Sequence, residues 1–68
     1  MKIEYEVKKP ASMDQLDAEF IDLFLIEKAN TLEIDEELMI DIFDYTFFVK
    51  KISKEKLVVE NIISKEDI

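Results

Sequence analysis

Hydrophobic and polar positions divide this chain into stretches of different period. Residues 2 to 8 read Lys, Ile, Glu, Tyr, Glu, Val, Lys, an alternation that puts Ile3, Tyr5 and Val7 on one side and predicts a half-buried strand. Pro10 ends it, because proline has no N–H for a ladder and biases Lys9 away from helix. Ser12 followed three residues later by Gln15 is a capping-box pattern, so a helix is expected from near Met13 to about Ala29. Within it Leu16, Phe20, Leu23 and Phe24 recur at i, i+4, i+7 and i+8, which makes them its expected buried face. Asp14 and Asp17 fall in the first turn, where the helix dipole favours carboxylates.

Asn30 and Thr31 interrupt the helical pattern. Asp35 can cap a second helix over residues 35–44, with Leu38, Ile42 and Tyr45 on one face and Met39 and Phe43 beside it. Leu32 and Ile34 suit an extended segment, so residues 31–44 could be strand, helix, or one followed by the other; helix over 35–44 is the reading carried forward. From Tyr45 the residues become β-branched and aromatic, and a second such run covers Leu57 to Ile63. Joined by the polar connector Ser53 to Lys56, the two runs read as a hairpin, although no Asn-Gly type turn marks it. Residues 64–68 are polar and expected to fray.

The expected order is therefore β-α-α-β-β, a single two-layer α+β domain over residues 1–68. A small antiparallel or mixed sheet would carry two helices on one face, with the first strand beside the hairpin. Adjacent apolar pairs, Phe47 with Phe48 and Ile62 with Ile63, put apolar side chains on both faces of the hairpin. Unless a bulge splits them, the second face needs a cover, which points to a homodimer through Tyr45, Phe47, Phe48 and Ile62. A chain of 68 residues buries a modest core, and pairing is one remedy for that.

Composition removes most chemistries. The chain has no cysteine, histidine, arginine, glycine or tryptophan, so disulfides, thiolate metal sites and histidine- or cysteine-based catalysis are excluded. Carboxylate pairs such as Asp41 with Asp44, or Glu19 with Asp22, lie at helical i, i+3 spacing, but paired acids do hydrolytic work only in a cleft that shifts one pKa. The run Asp35-Glu36-Glu37 offers oxygen ligands for a hard cation without the spacing or the glycine of a calcium loop. A non-enzymatic protein with no cofactor and no metal site is expected. The acid-containing start, Met1 to Val7, does not read as a signal peptide, and the longest nearly apolar stretch, Phe20 to Ile26, is far short of a membrane span. A soluble, cytoplasmic protein without membrane contact is expected.

Charge placement narrows the picture further. The net charge is −8, yet residues 1–13 and 45–68 each carry a small positive excess. All of the net negative charge lies between Asp14 and Asp44, where eleven acids accompany one base, Lys28. Such asymmetry speaks about partners rather than fold. Scattered lysines and a repulsive net charge exclude direct binding to DNA or RNA. Inverted, the same physics is productive, because carboxylates at i, i+3 and i+4 sit about 5–6 Å apart at Cβ, on the scale of backbone phosphates. Asp14, Asp17 and Asp22 on the first helix, with Glu19 at the margin, and Glu37, Asp41 and Asp44 on the second would form one acidic plate. A solvated face that merely keeps the protein soluble is the alternative, but it does not explain why the lysines are confined elsewhere.

In this acidic profile, carried by the eleven acids from Asp14 to Asp44, the chain resembles the small DNA-mimic inhibitors that bacteriophages and mobile elements use in host takeover. The resemblance implies a bacterial host cytoplasm and a basic DNA-binding protein as partner. Size favours a nucleoid-associated protein of the HU type, since a pair of such domains could present a short duplex-like surface. The rival expectation is a regulatory module, antitoxin-like or immunity-like, that meets its partner through the aromatic hairpin.

Overall fold

In the computed structural model, which describes residues 1–65, the elements run β1 (Lys2–Tyr5), α1 (Gln15–Ala29), β2 (Glu37–Ile42), β3 (Tyr45–Ser53) and β4 (Lys56–Ser64). The strands form one mixed sheet in the order β1-β4-β3-β2, with β1 parallel to β4 and the other pairs antiparallel. This corrects the two-helix β-α-α-β-β expectation: the order is β-α-β-β-β, and strand at 43% outweighs helix at 25%.

The segment read as a second helix is strand β2. Glu37-Leu38-Met39-Ile40-Asp41-Ile42 has period two, and the buried residues are Ile40 and Ile42, with Leu38 packed beside them. Both periods are present in these residues, and the partner strand decides between them. Ile40 stands opposite Phe47 and Ile42 opposite Tyr45, so strand pairing buries all four side chains in the one core. Asp35, at φ 70°, lies in a loop whose backbone bonds run to β3: its N–H donates to the Lys51 carbonyl at 2.7 Å, and Lys51 N–H donates to Glu36 at 3.1 Å. A helix capped by Asp35 is incompatible with those bonds.

Helix α1 forms nearly where its pattern places it, but its cap and its buried face both differ from expectation. Asp14 is the N-cap, extended at φ −80° and ψ 173°, with its Oδ1 accepting from the Asp17 N–H at 2.7 Å. Ser12 lies outside the helix and pairs its hydroxyl with the Tyr45 hydroxyl at 2.6 Å. The buried stripe is Ile21, Leu25 and Ala29, at i, i+4 and i+8, whereas Leu16, Phe20 and Leu23 are exposed. Two apolar stripes compete on this helix. The one that faces the sheet has the smaller end residue, Ala29, which lets the helix C-terminus come close to β3.

That close approach is fixed by a lysine. Lys51 on β3 sends its ammonium to the carbonyls of Ala29 and Leu32, both at 2.9 Å, satisfying acceptors that a helix end leaves open. Thr31 contributes its hydroxyl to the Lys28 carbonyl at 2.7 Å.

The terminal hairpin turns through Lys54 and Glu55, with Ser53 paired to Lys56. A register shift opposite Phe48 and Val49 adds Glu60 as an extra residue in β4, between Val59 and Asn61. Its consequence is a switch of faces: Val59 and Ile62 both point toward the core, and Ile63 is released to the outer face. A bulge thus splits the adjacent isoleucines, and simple alternation divides Phe47 from Phe48. At the other edge β1 is tied to β4 by the Lys2 N–H to the Glu55 carbonyl at 2.6 Å and by the Lys56–Glu4 ion pair at 2.5 Å. The Lys56 ammonium, by hydrogen bond first and then by charge, holds the Glu4 carboxyl below its ordinary value.

Of the tail expected to fray, Ser64 closes β4 and the Lys65 N–H donates to the Asp44 carbonyl at 2.9 Å, while residues 66–68 lie outside the described residues. Among the described residues no helix is long and apolar enough to cross a membrane.

Candidate functional site

The acids singled out in the sequence belong to three neighbourhoods, because there is no second helix to align them with α1. Asp14, Asp17 and Asp44 gather at one end of the molecule, where the N-terminus of α1 meets the β2–β3 turn. Two contacts close that end: the Ser12–Tyr45 hydroxyl pair, and Phe20 against Phe43 with ring centroids 5.4 Å apart. Asp17 and Asp44 line the same shallow depression there, together with Ser12, Phe43, Tyr45 and Ser64.

Glu37 and Asp41 lie on β2, on the face of the sheet away from the helix. Glu37 stands across from Lys50, while Asp41 accepts from the Thr46 hydroxyl at 2.6 Å and has the Lys65 ammonium at 3.8 Å. Asp22 turns toward β1, where it accepts the Tyr5 phenol at 2.6 Å. Burial first, then the hydrogen bond and charge of Asp22, push the Tyr5 phenol well above the ordinary tyrosine range. Asp22 is therefore a structural partner of the sheet as well as an acid of the helix.

The candidate interface residues are divided in the same way. Phe47 is fully buried and Tyr45 nearly so, both in the core against α1, and Ile62 packs against that core. Phe48 alone of the four faces outward, half-buried beside Met39, its cross-strand partner. The aromatic hairpin presents its rings mainly to its own helix.

The acids from Asp14 to Asp44 occupy α1, the following loop, the edge strand β2 and its turn, while Lys2 lies on the opposite edge strand. Lysines of the neighbouring strands border them: Lys50 stands across from Glu37 at the start of β2, and Lys65 reaches Asp41 near its end. Cations that do approach the acidic side are partly engaged: Lys51 at the helix carbonyls, Lys28 over the Phe24 ring at 5.4 Å. Among the described residues no group of three or more Asp or Glu side chains converges as a metal cage.

Sequence reasoning missed a second feature of this surface. Leu16, Phe20 and Leu23, expected in the core, stand in solvent, and Phe43 from the β2–β3 turn joins them. The signal was available in the competing stripe Ile21, Leu25 and Ala29, since a helix with apolar residues on two sides has one left over when it lies on a single sheet. Comparison with known proteins found no matching family model, no matching curated protein and no matching solved structure.

Proposed function

We propose that this protein is a non-enzymatic acidic inhibitor that occupies the basic DNA-binding surface of a bacterial protein, with a nucleoid-associated protein of the HU type as the favoured target. The observation that carries the reading is the confinement of eleven acids to α1, the loop after it and the β2 edge, with a single lysine among them. A surface kept acidic only for solubility has no reason to hold eleven acids against one lysine over 31 consecutive residues. Like charges so close together cost the free protein stability, and a cationic partner offsets that cost.

Asp14, Asp17 and Asp44 are the acids best placed to act as phosphate surrogates together, since they share one end of the molecule. Glu37 and Asp41 would extend the acidic surface along β2, and Asp22 would contribute charge from its bond to Tyr5. Homodimerisation, if it occurs, has the outer sheet face around Met39 and Phe48 open to it. Electrostatic matching gives fast association and steep salt dependence.

The test is displacement of labelled duplex DNA from a purified HU-type protein across a salt series, alongside capture of partners from bacterial lysate. The expected result is displacement that weakens as salt rises. Reversal of Asp14, Asp17 and Asp44 to lysine should weaken it by well over ~10-fold, as lost charge pairs at interfaces commonly do. Unchanged displacement by the triple variant would remove mimicry as the explanation. A single captured partner that is not basic and resists salt would move the function to another surface.

A further inference from the structure

Leu16, Phe20 and Leu23 are 77%, 55% and 68% exposed, yet with Glu27 they recur at i, i+4, i+7 and i+11 along one line of α1. This line points away from the sheet, because Ile21, Leu25 and Ala29 hold the opposite side. Phe43 widens it, its ring lying against Phe20. Alternating steps of four and three are the seam into which a second helix packs its side chains. Exposed apolar surface that is contiguous, rather than scattered, marks an interface.

Phe43 adds an independent sign. It is the first residue of a two-residue hairpin turn and holds φ 55° in a chain with no glycine. A bulky residue in that conformation is costly, and here the cost maintains an exposed ring beside the seam.

We propose that this seam docks a lysine- or arginine-rich amphipathic helix of another protein. Charge selects the occupant. Asp17 and Glu19 on α1 and Asp44 beside Phe43 border the seam and Glu27 ends it, so a helix with an apolar stripe flanked by cations meets apolar surface at its centre and opposite charge around it. A second copy of this chain would instead bring these carboxylates against their own duplicates as water is removed. The proposal rests on the proposed function for the cationic nature of the target, and adds that apolar docking on α1, not charge alone, gives the contact its specificity.

Two synthetic peptides of equal positive charge provide the probe. One carries leucines and lysines at helical spacing; in the other every leucine is replaced by serine. Each is titrated into the isotope-labelled full-length protein and followed by NMR, with sedimentation equilibrium run beside it. Expected are shifts centred on Leu16, Phe20, Leu23 and Phe43, affinity for the leucine peptide at least ~10-fold above the serine peptide, and loss of that margin in the Phe20→Ser/Leu23→Ser double variant with its melting temperature kept. Equal affinity for both peptides, shifts centred on the outer sheet face, no binding at all, or a self-dimer that buries the seam would each overturn the proposal. Its failure is separable from failure of the inhibitor reading. If the double variant still displaces duplex DNA from the HU-type protein as the parent does, the seam falls and the reading stands; if the parent displaces no DNA while the peptide results hold, the reading falls and the seam stands.

Discussion

The Lys51 ammonium lies 2.9 Å from the carbonyl oxygen of Ala29, so a side chain of β3 closes the helix that packs on its own sheet. The same ammonium accounts for Leu32, and the two bonds fix where the helix stops and the loop begins. Hydrogen bonds to a charged donor are worth about 1.5–3 kcal/mol each at best, and partial exposure reduces that. Lys51→Met keeps the apolar stem and removes the donors. It is expected to lower stability by ~2 kcal/mol in urea unfolding, whereas Lys50→Met, one residue away on the outer face, should change it by less than ~0.5 kcal/mol. Equal effects for the two would show that water serves the helix carbonyls just as well.

Truncations along α1 distinguish the buried stripe from the exposed one. Leu25→Ala removes a fully buried side chain and should cost about 2–5 kcal/mol. Leu23→Ala, two residues earlier, should fall within about 0.5 kcal/mol of the parent. Chemical denaturation of the two variants decides between the helix face seen here and the face suggested by the Leu16, Phe20, Leu23, Phe24 spacing.

Tyr5 predicts an alkaline limb in the stability curve. Its phenol is raised in the folded state, so the unfolded chain loses that proton first, at its ordinary value near 10. The stabilisation is complete below that pH and is progressively lost as pH rises above it, since the folded state then binds more protons than the unfolded one. Tyr5→Phe should flatten this limb and, by leaving Asp22 without the phenol, cost ~1 kcal/mol at neutral pH. Ultraviolet titration of a Tyr45→Phe variant, which leaves Tyr5 as the single tyrosine, should show ionisation above the usual range. Ionisation at the ordinary value would mean that the Tyr5–Asp22 bond does not persist in solution.

Phe43 should show opposite effects on stability and binding. Relief of the positive φ by Phe43→Gly is worth about 1–2 kcal/mol, and the lost contact with Phe20 at an exposed site is worth about 0.5 kcal/mol. The variant is therefore expected to be more stable by ~0.5–1 kcal/mol in urea unfolding while binding the amphipathic peptide less tightly. A destabilised variant would show that the ring contributes more to the fold than the turn conformation costs.

Several elements were legible in the residues alone because their signals are local. Alternation at Ile3 and Tyr5 marked β1, which ends at Tyr5 and does not run on through Val7 to Lys8, and the β-branched runs on either side of Lys54 and Glu55 marked the terminal hairpin. The extent of α1 was close to its pattern, with the cap moved from Ser12 to Asp14. Residues 37–42 were not legible, since Leu38 and Ile42 fit a helix while Leu38, Ile40 and Ile42 fit a strand. Only the presence of Phe47 and Tyr45 on a neighbouring strand makes the second pattern bury more surface. For the candidate site, the positions of the acids along the chain were fixed in advance, but their grouping required the turn at Phe43 and Asp44 to meet the N-terminus of α1.

The amino-acid sequence by itself determined the charge pattern, eleven acids in one continuous stretch with a single lysine, and, through the lack of histidine and cysteine, ruled out any chemistry that needs an imidazole or a thiol. Tertiary structure alone decided which of two apolar stripes on α1 became core and which was left as surface. Both stripes satisfy helical periodicity, so periodicity cannot rank them. The choice came from the sheet, where Ala29 admits the helix end against Lys51 and Ile21 and Leu25 join Phe47 in the one buried core, leaving Leu16, Phe20 and Leu23 outside.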